Sequence, residues 1–115
     1  ERYIVPEKTC ALWHEAKRSG KRIIAVGTTA LRALESAYAL NGLETEVCAE
    51  TQLFIYPGYP IRTVDGLLTN FHLPGSSLLL LVAAFIGRSR LLAAYHEAIK
   101  QKYRFYSYSD AMLIL

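Results

Sequence analysis

The sequence predicts an α/β fold, with helices packed on a mostly parallel or mixed sheet. Three observations lead there. Short apolar runs suited to buried strands alternate with longer amphipathic runs. A glycine follows the first clear strand and opens a helix, which is half of an α/β unit. Apolar residues make up 52% of the 115 residues and charged residues 20%, enough for one modest core. The same composition excludes a mainly disordered chain. With only Cys10 and Cys48, the chain is no scaffold of many disulfides, and both thiols are expected to stay reduced in a cytoplasmic setting. Residues 1–115 read as one domain or part of one. The absence of a starting Met, a sheet of only about four strands and a chain so rich in Tyr and Leu that it needs more cover than it supplies all point to part of a larger α/β domain.

The elements follow in order. Pro6 opens a helix over Pro6–Ser19, with Cys10, Trp13 and Ala16 or Lys17 on one side and Leu12 beside them. Ser19-Gly20 ends it. Ile23-Ile24-Ala25-Val26 is a buried-strand run. After Gly27-Thr28-Thr29, Ala30–Leu40 is a helix whose stripe is Leu31, Leu34, Tyr38 and Ala37, capped by Asn41-Gly42. Leu43–Gln52 is polar and ambiguous. Leu53-Phe54-Ile55-Tyr56 is the second strong strand, broken by Pro57-Gly58. Leu67-Leu68-Thr69 is a third, followed by Asn70-Phe71-His72 and a Pro74-Gly75 turn. Ser76 or Ser77 caps a helix over Leu78–Phe85 that is apolar nearly all round. Ser89–Lys102 is a second helix with a stripe of Leu91, Leu92, Tyr95 and Ile99, and Met112–Leu115 suits a last strand.

Charge narrows the function classes. The net charge is +3, and residues 1–60 sum to zero, so the excess lies in residues 61–115. Five bases (Arg88, Arg90, Lys100, Lys102, Arg104) fall within seventeen residues, a solvated helix side with weak attraction for phosphate. The longest apolar run, Leu78–Ile86, is nine residues, well short of the ~20 of a membrane span. The start of the chain has no signal-peptide pattern. No Asp, Glu, His or Cys set has metal-ligand spacing, so no metal is expected.

Four stretches are able to carry chemistry. Gly27-Thr28-Thr29 sits at a strand end, where open α/β sheets bind ligands and helix N–H groups hold anions. Arg32 lies one turn on, in reach of Glu35; a tight turn with a surface Arg–Glu pair is the competing structural account. Tyr56-Pro57-Gly58-Tyr59 places two rings about a rigid turn, able to stack on a heterocycle or to roof a core. In Leu68-Thr69-Asn70-Phe71-His72-Leu73-Pro74, a polar cluster interrupts apolar runs. Its Thr69 and Asn70 can fix amide or hydroxyl edges, and its His72 can move a proton near neutral pH or simply tie its loop. The tail from Tyr103 to Asp110 mixes aromatics, a base and an acid, a weak nucleic-acid signal.

Four stretches in order carry a resemblance: Ala25-Val26-Gly27-Thr28-Thr29-Ala30-Leu31-Arg32-Ala33-Leu34-Glu35-Ser36, Phe54-Ile55-Tyr56-Pro57-Gly58-Tyr59, Leu67-Leu68-Thr69-Asn70-Phe71-His72-Leu73-Pro74, and Tyr103-Arg104-Phe105-Tyr106-Ser107-Tyr108-Ser109-Asp110-Ala111-Met112. Together they resemble the S-adenosylmethionine:tRNA ribosyltransferase-isomerase family, the queuosine-pathway enzyme QueA. What they match is roughly its last third. The resemblance implies that the rest of the enzyme supplies an N-terminal segment of the same α/β domain and an inserted β-barrel domain.

The resemblance also implies a reaction. The ribosyl part of S-adenosylmethionine moves onto 7-aminomethyl-7-deazaguanine in tRNA and rearranges to epoxyqueuosine, releasing adenine and methionine. S-Adenosylmethionine is then a consumed co-substrate, and no cofactor is implied. A proton next to the sulfonium leaves first. On this reading His72 is the base or the acid assisting adenine. Thr69 and Asn70 hold a ribose hydroxyl or base edge. Gly27, Thr28, Thr29 and Arg32 bind a carboxylate or phosphate. Tyr56, Tyr59 and Tyr108 stack on adenine or the deazaguanine, and Asp110 orients the aminomethyl cation. The implied partners are the modified tRNA, S-adenosylmethionine and the rest of the enzyme, with no membrane; the 115 residues alone are expected to be inactive. The sequence departs from the family at Gly75, where Lys is common, and at Ser109, where Gly is common and a positive φ comes into question. A reading from a different class is a non-catalytic α/β module that binds a nucleotide or RNA.

Overall fold

The computed structural model describes residues 1–73, 75–105 and 108–115, and these form five strands and four helices. In chain order they are β1 (Arg2–Val5), α1 (Glu7–Arg18), β2 (Ile24–Val26), α2 (Thr28–Asn41), β3 (Val47–Glu50), β4 (Gly66–Asn70), α3 (Ser77–Ile86), α4 (Arg88–Lys100) and β5 (Ala111–Ile114). The central sheet is mixed and ordered β2-β4-β5, with β2 parallel and β5 antiparallel to β4. β1 and β3 form a separate antiparallel ribbon. The radius of gyration is 14.8 Å and the principal extents are 45 × 30 × 27 Å, more extended than the ~13 Å of a compact chain of this length.

The helices follow their expected signals closely. Pro6 precedes α1, and Gly42 ends α2 in a left-handed conformation with its N–H on the Tyr38 carbonyl at 2.8 Å. The Pro74-Gly75 turn reaches outside the described residues at Pro74. Ser76 precedes α3 without a side-chain capping bond. Cys10, Leu31 and Ala37 are buried as their stripes require, but Leu12 is exposed. α3 buries Leu81, Val82 and Ala83, half-buries Leu78, Leu79, Ala84, Phe85 and Ile86, and exposes only Leu80 among its apolar side chains, so it is covered on most sides as its apolar sequence requires. α4 buries Leu91, Tyr95 and Ala98 and leaves Leu92 and Ile99 exposed, which moves its inner face off the expected stripe.

Three strand expectations are corrected. Residues 53–56 alternate in burial like a strand, with Ile55 inside and Phe54 and Tyr56 outside, yet form no ladder. Side chains take the place of strand partners there: the Leu53 N–H donates to Thr51 Oγ1, and the Leu53 carbonyl accepts from Arg32 Nε. The ambiguous Leu43–Gln52 stretch contains β3, and β1 was not anticipated. Each supplies only four residues, and only by pairing do they bury Tyr3, Val5 and Val47 on one side.

Two cores result. The larger is built from Ala25, Leu67 and Ile114 on one sheet face, with Leu31, Leu81, Val82, Leu91 and Tyr95 from the helices above it. The smaller joins the β1–β3 ribbon to α1 and α2 through Tyr3, Val5, Cys10, Ala37, Leu43 and Val47. Gly66 is needed for close approach of β4 to β5: a Cβ there would sit 2.5 Å from the Ile114 carbonyl oxygen and 2.8 Å from Ile24 Cδ1. Gly66→Ala is therefore expected to cost about 1–3 kcal/mol, read as a lower midpoint in chemical denaturation. An unchanged midpoint would show that the β4–β5 pairing is looser than described.

Candidate active site

β2 and β4 run parallel and end side by side, so the residues just beyond them share one crevice. The crevice is a cavity of about 350 Å³, of the size that holds a small molecule. Its walls are Val26, Gly27, Thr28 and Thr29 from the β2–α2 junction, Leu68, Thr69 and Asn70 from β4, then His72 and Ala111. Gly27 adopts φ 92°, which only glycine takes without strain, and its N–H donates to the Leu68 carbonyl at 2.8 Å. That bond ties the start of α2 to the end of β4 and brings Thr28 and Thr29 over the crevice.

His72 is held from two sides. Its Nε2 lies 3.0 Å from Thr69 Oγ1, and its backbone N–H donates to the Tyr95 hydroxyl at 2.7 Å. Burial lowers its pKa from the ordinary imidazole value, because losing water disfavours the cation. A neutral, oriented imidazole at the edge of a cavity can accept a proton, or donate one when it is protonated. Tyr95 is itself buried and packs edge-on against Phe71. Burial raises its phenol pKa, so it stays a neutral hydroxyl.

Tyr95 is the supporting residue that sequence reasoning missed. The local signal gives only a core position on α4, and nothing near residue 72 announces a partner 23 positions away. Tyr95→Phe removes the acceptor for the His72 N–H, a change expected to cost about 1–1.5 kcal/mol. Amide exchange at His72 should quicken by about tenfold; an unchanged exchange rate would mean that the bond does not hold the loop.

The other expected site residues lie elsewhere. Arg32 faces a separate cavity with Gln52, Leu53 and Phe54. The expected Arg32–Glu35 pair is absent: Arg32 Nη1 donates to Glu1 at 2.8 Å, and Glu35 turns inward. The Glu35 carboxylate accepts from the Arg62 and Thr63 N–H groups at 3.1 and 2.8 Å and from the Thr63 hydroxyl. Helical spacing brings the two residues to neighbouring positions, but three donors on the 62–63 segment hold Glu35, while the half-buried Arg32 guanidinium turns to Leu53 and Glu1.

Tyr56 is half exposed and stacks on Phe54, with centroids 6.0 Å apart. Tyr59 packs on the larger core, and burial, followed by the nearby Glu35 carboxylate, raises its phenol pKa. Tyr108 is 92% exposed. The Asp110 carboxylate accepts from the Arg104 N–H at 2.7 Å, and its carbonyl accepts from the Phe71 N–H. Asp110 thus closes the tail loop onto β4 beside the crevice without lining it. Ser109 donates to the Asp110 carbonyl and has no positive φ, so glycine is not needed there. Tyr106 and Ser107 of the tail motif lie outside the described residues. Among the described residues no single helix is long and apolar enough to cross a membrane.

Comparison with known proteins bears directly on this crevice. The S-adenosylmethionine:tRNA ribosyltransferase-isomerase of Nostoc sp. is 61% identical over 111 residues, covering 96% of this chain and 28% of its own length. The protein of the same name from Gloeobacter violaceus is 55% identical over 115 residues, covering 100% of this chain and 33% of its own. The chain thus spans no more than about a third of these relatives. The crystal structure of S-adenosylmethionine tRNA ribosyltransferase from Thermotoga maritima superposes with a TM-score of 0.94 at 50% identity, over 99% of this chain and 40% of that one. The family model for queuosine biosynthesis protein matches residues 1–114, which include every residue that builds the two cores and the crevice. A match of that extent, together with the shared fold, makes this chain a member of the queuosine biosynthesis protein family, the S-adenosylmethionine:tRNA ribosyltransferase-isomerases.

Proposed function

We propose that the 115 residues are the C-terminal portion of the α/β catalytic domain of an S-adenosylmethionine:tRNA ribosyltransferase-isomerase. The parent would carry the rest of that domain and an inserted β-barrel domain, and would act in the cytoplasm. Its reaction transfers and isomerises the ribosyl group of S-adenosylmethionine onto 7-aminomethyl-7-deazaguanine in tRNA, giving epoxyqueuosine-tRNA, adenine and methionine. The observation that carries this reading is the crevice where Thr28, Thr29, Thr69, Asn70 and His72 meet at parallel strand ends.

The chemistry suits such a site. A sulfonium acidifies the C–H beside it, so a neutral imidazole is a sufficient base. His72 takes that proton, or protonates adenine as it leaves. Thr69 orients the imidazole and, with Asn70, faces the ribose. The N–H groups at the start of α2, with Thr28 and Thr29, receive the methionyl carboxylate. Arg32, Tyr56, Tyr108 and Asp110 act outside the crevice: Arg32 and the exposed Tyr56 and Tyr108 rings toward tRNA, and Asp110 through the loop that it closes; Tyr59, packed on the larger core, supports the fold rather than stacking on a base. The test is isotopic. Full-length parent is given S-adenosylmethionine labelled in the ribose, with tRNA bearing the aminomethyl base. Ribose label on the wobble nucleoside supports the reading. A wobble nucleoside that gains no ribose label, from a parent that still binds this tRNA, removes it and leaves a nucleotide- or RNA-binding module.

A further inference from the structure

A second cavity, of about 220 Å³, shares no lining residue with the His72 crevice. Its floor includes Ile55 and Leu81, both buried, and Phe54 forms one side. Three side chains with hydrogen-bonding ends, Arg32, Gln52 and Ser77, stand around that apolar floor. The volume lies below the ~300 Å³ at which pockets for drug-sized ligands begin. It has room for one flat heterocycle and is too small for the whole of S-adenosylmethionine.

Local sequence builds this pocket. Ile55 turns inward, so Phe54 and Tyr56 turn outward together. The two rings are 49% and 53% exposed and stack with their planes 26° from parallel. The Tyr56 carbonyl accepts from the Tyr59 N–H at 2.9 Å, and Gly58 at φ 99° completes that turn, which holds the pair in place. Arg32 is fixed as well: its Nε donates to the Leu53 carbonyl at 3.2 Å and its Nη1 to Glu1 at 2.8 Å. Glu1 balances the charge, so the guanidinium is set to donate to a neutral acceptor rather than to collect a phosphate. An aromatic platform beside an apolar slot with a few donors and acceptors is how unstacked RNA bases are held. The ring stacks, and the polar groups read its edge.

Position says which strand such a base belongs to. Thr28 and Thr29 line the crevice and Arg32 lines the second cavity. Three and four positions apart on α2, they share a helix face and lie about 6 Å from each other along its axis. We infer that the second cavity is a nucleobase pocket for one unstacked base of the substrate tRNA, a neighbour of the base being modified. Phe54 and Tyr56 form its stacking platform, and Arg32, Gln52 and Ser77 read the edge of the base. Resting on the reading that modified tRNA is the substrate, the pocket adds a second grip on the strand that carries the wobble base.

Filter binding with the full-length parent tests it. The ligand is tRNA that carries 7-aminomethyl-7-deazaguanine, either intact or with an abasic site at one neighbouring nucleotide at a time. Phe54→Ala and Gln52→Ala parents are measured beside wild type. Both side chains are exposed, so both variants should fold, and a Tm matching wild type checks this. Phe54→Ala is expected to weaken tRNA binding by about tenfold. One abasic position should weaken binding to wild type by a similar factor. The two losses should not multiply, so that abasic tRNA binds Phe54→Ala no worse than intact tRNA does. Gln52→Ala should weaken intact tRNA more than the same abasic tRNA, and neither variant should change the affinity for S-adenosylmethionine. Wild-type tRNA affinity in both variants would overturn the inference. So would losses that multiply at every neighbouring position, or a loss of S-adenosylmethionine affinity with tRNA binding intact. Adenine release is read on the wild-type parent. Coupled losses without adenine release retire the ribosyl-transfer reading alone, and adenine release without coupling retires the pocket alone.

Discussion

Full-length parent carrying His72→Ala is expected to release adenine about 10²–10⁴-fold more slowly than wild type, the range for losing a positioned acid–base group. The loss should fall on kcat more than on KM, because in the proposed role the imidazole acts on the reacting atoms and contributes little to holding the substrate. The pH profile adds a signature. Burial lowers the His72 pKa, so the imidazole stays neutral to a lower pH than a solvent-exposed histidine. If His72 is the base, the acid limb of kcat/KM lies below the ordinary value of about 6.5, and it disappears in His72→Ala.

The sign for stability agrees with that profile. A histidine whose folded pKa is depressed contributes stability above its unfolded pKa and loses it as pH falls toward the folded value. Acid should therefore loosen the His72 loop before it reaches the helices. Turnover by His72→Ala equal to wild type from pH 6 to 9 would remove the imidazole from the chemistry.

Glu35→Ala should cost the most stability. Glu35 is 2% exposed, and three donors converge on its carboxylate from the 62–63 segment. Truncation leaves the Thr63 N–H and hydroxyl buried without an acceptor, at about 1–3 kcal/mol for each such group. A total of about 3 kcal/mol or more corresponds to a fall in Tm of roughly 10 °C or more at this size. Glu35→Gln keeps one acceptor oxygen and should recover part of the loss. The Thr63 carbonyl also accepts from Trp13 Nε1 at 2.7 Å, so the same segment anchors α1. A Glu35→Ala chain that melts with wild type would show that the 62–63 segment is held by packing alone.

Local patterns made the helices and the crevice legible. Pro6 and Gly42 mark helix ends because they act through their own backbone conformation, which the neighbouring residues do not alter. Gly27-Thr28-Thr29 stands out as a glycine turn between a strand and a helix, and Thr69, Asn70 and His72 as a polar cluster that interrupts apolar runs. The parallel pairing of β2 with β4 then brought them to one cavity, as a strand-end rule requires. What stayed hidden depends on partners distant in sequence. β1 and β3 are four residues each and exist by pairing across a long separation, from Arg2 with Glu50 to Val5 with Val47. Residues 53–56 have strand composition but pair with no neighbouring strand; Arg32 and Thr51 occupy the backbone groups of Leu53, and the Tyr56 carbonyl accepts from the Tyr59 N–H. Glu35 looked like a surface partner for Arg32 because helical spacing allows it, and only the approach of Thr63 turns it inward. Tyr95 could not be tied to His72 without the fold, since a buried aromatic on a helix stripe reads first as core.

The most direct test of the account is adenine release by the full-length parent, with tRNA carrying 7-aminomethyl-7-deazaguanine against the same tRNA unmodified. The account predicts adenine only with the modified tRNA, abolished by His72→Ala and accompanied by the matching mass gain on the wobble nucleoside. Adenine released equally with both tRNAs, or none from a folded parent that binds the modified tRNA, would contradict it.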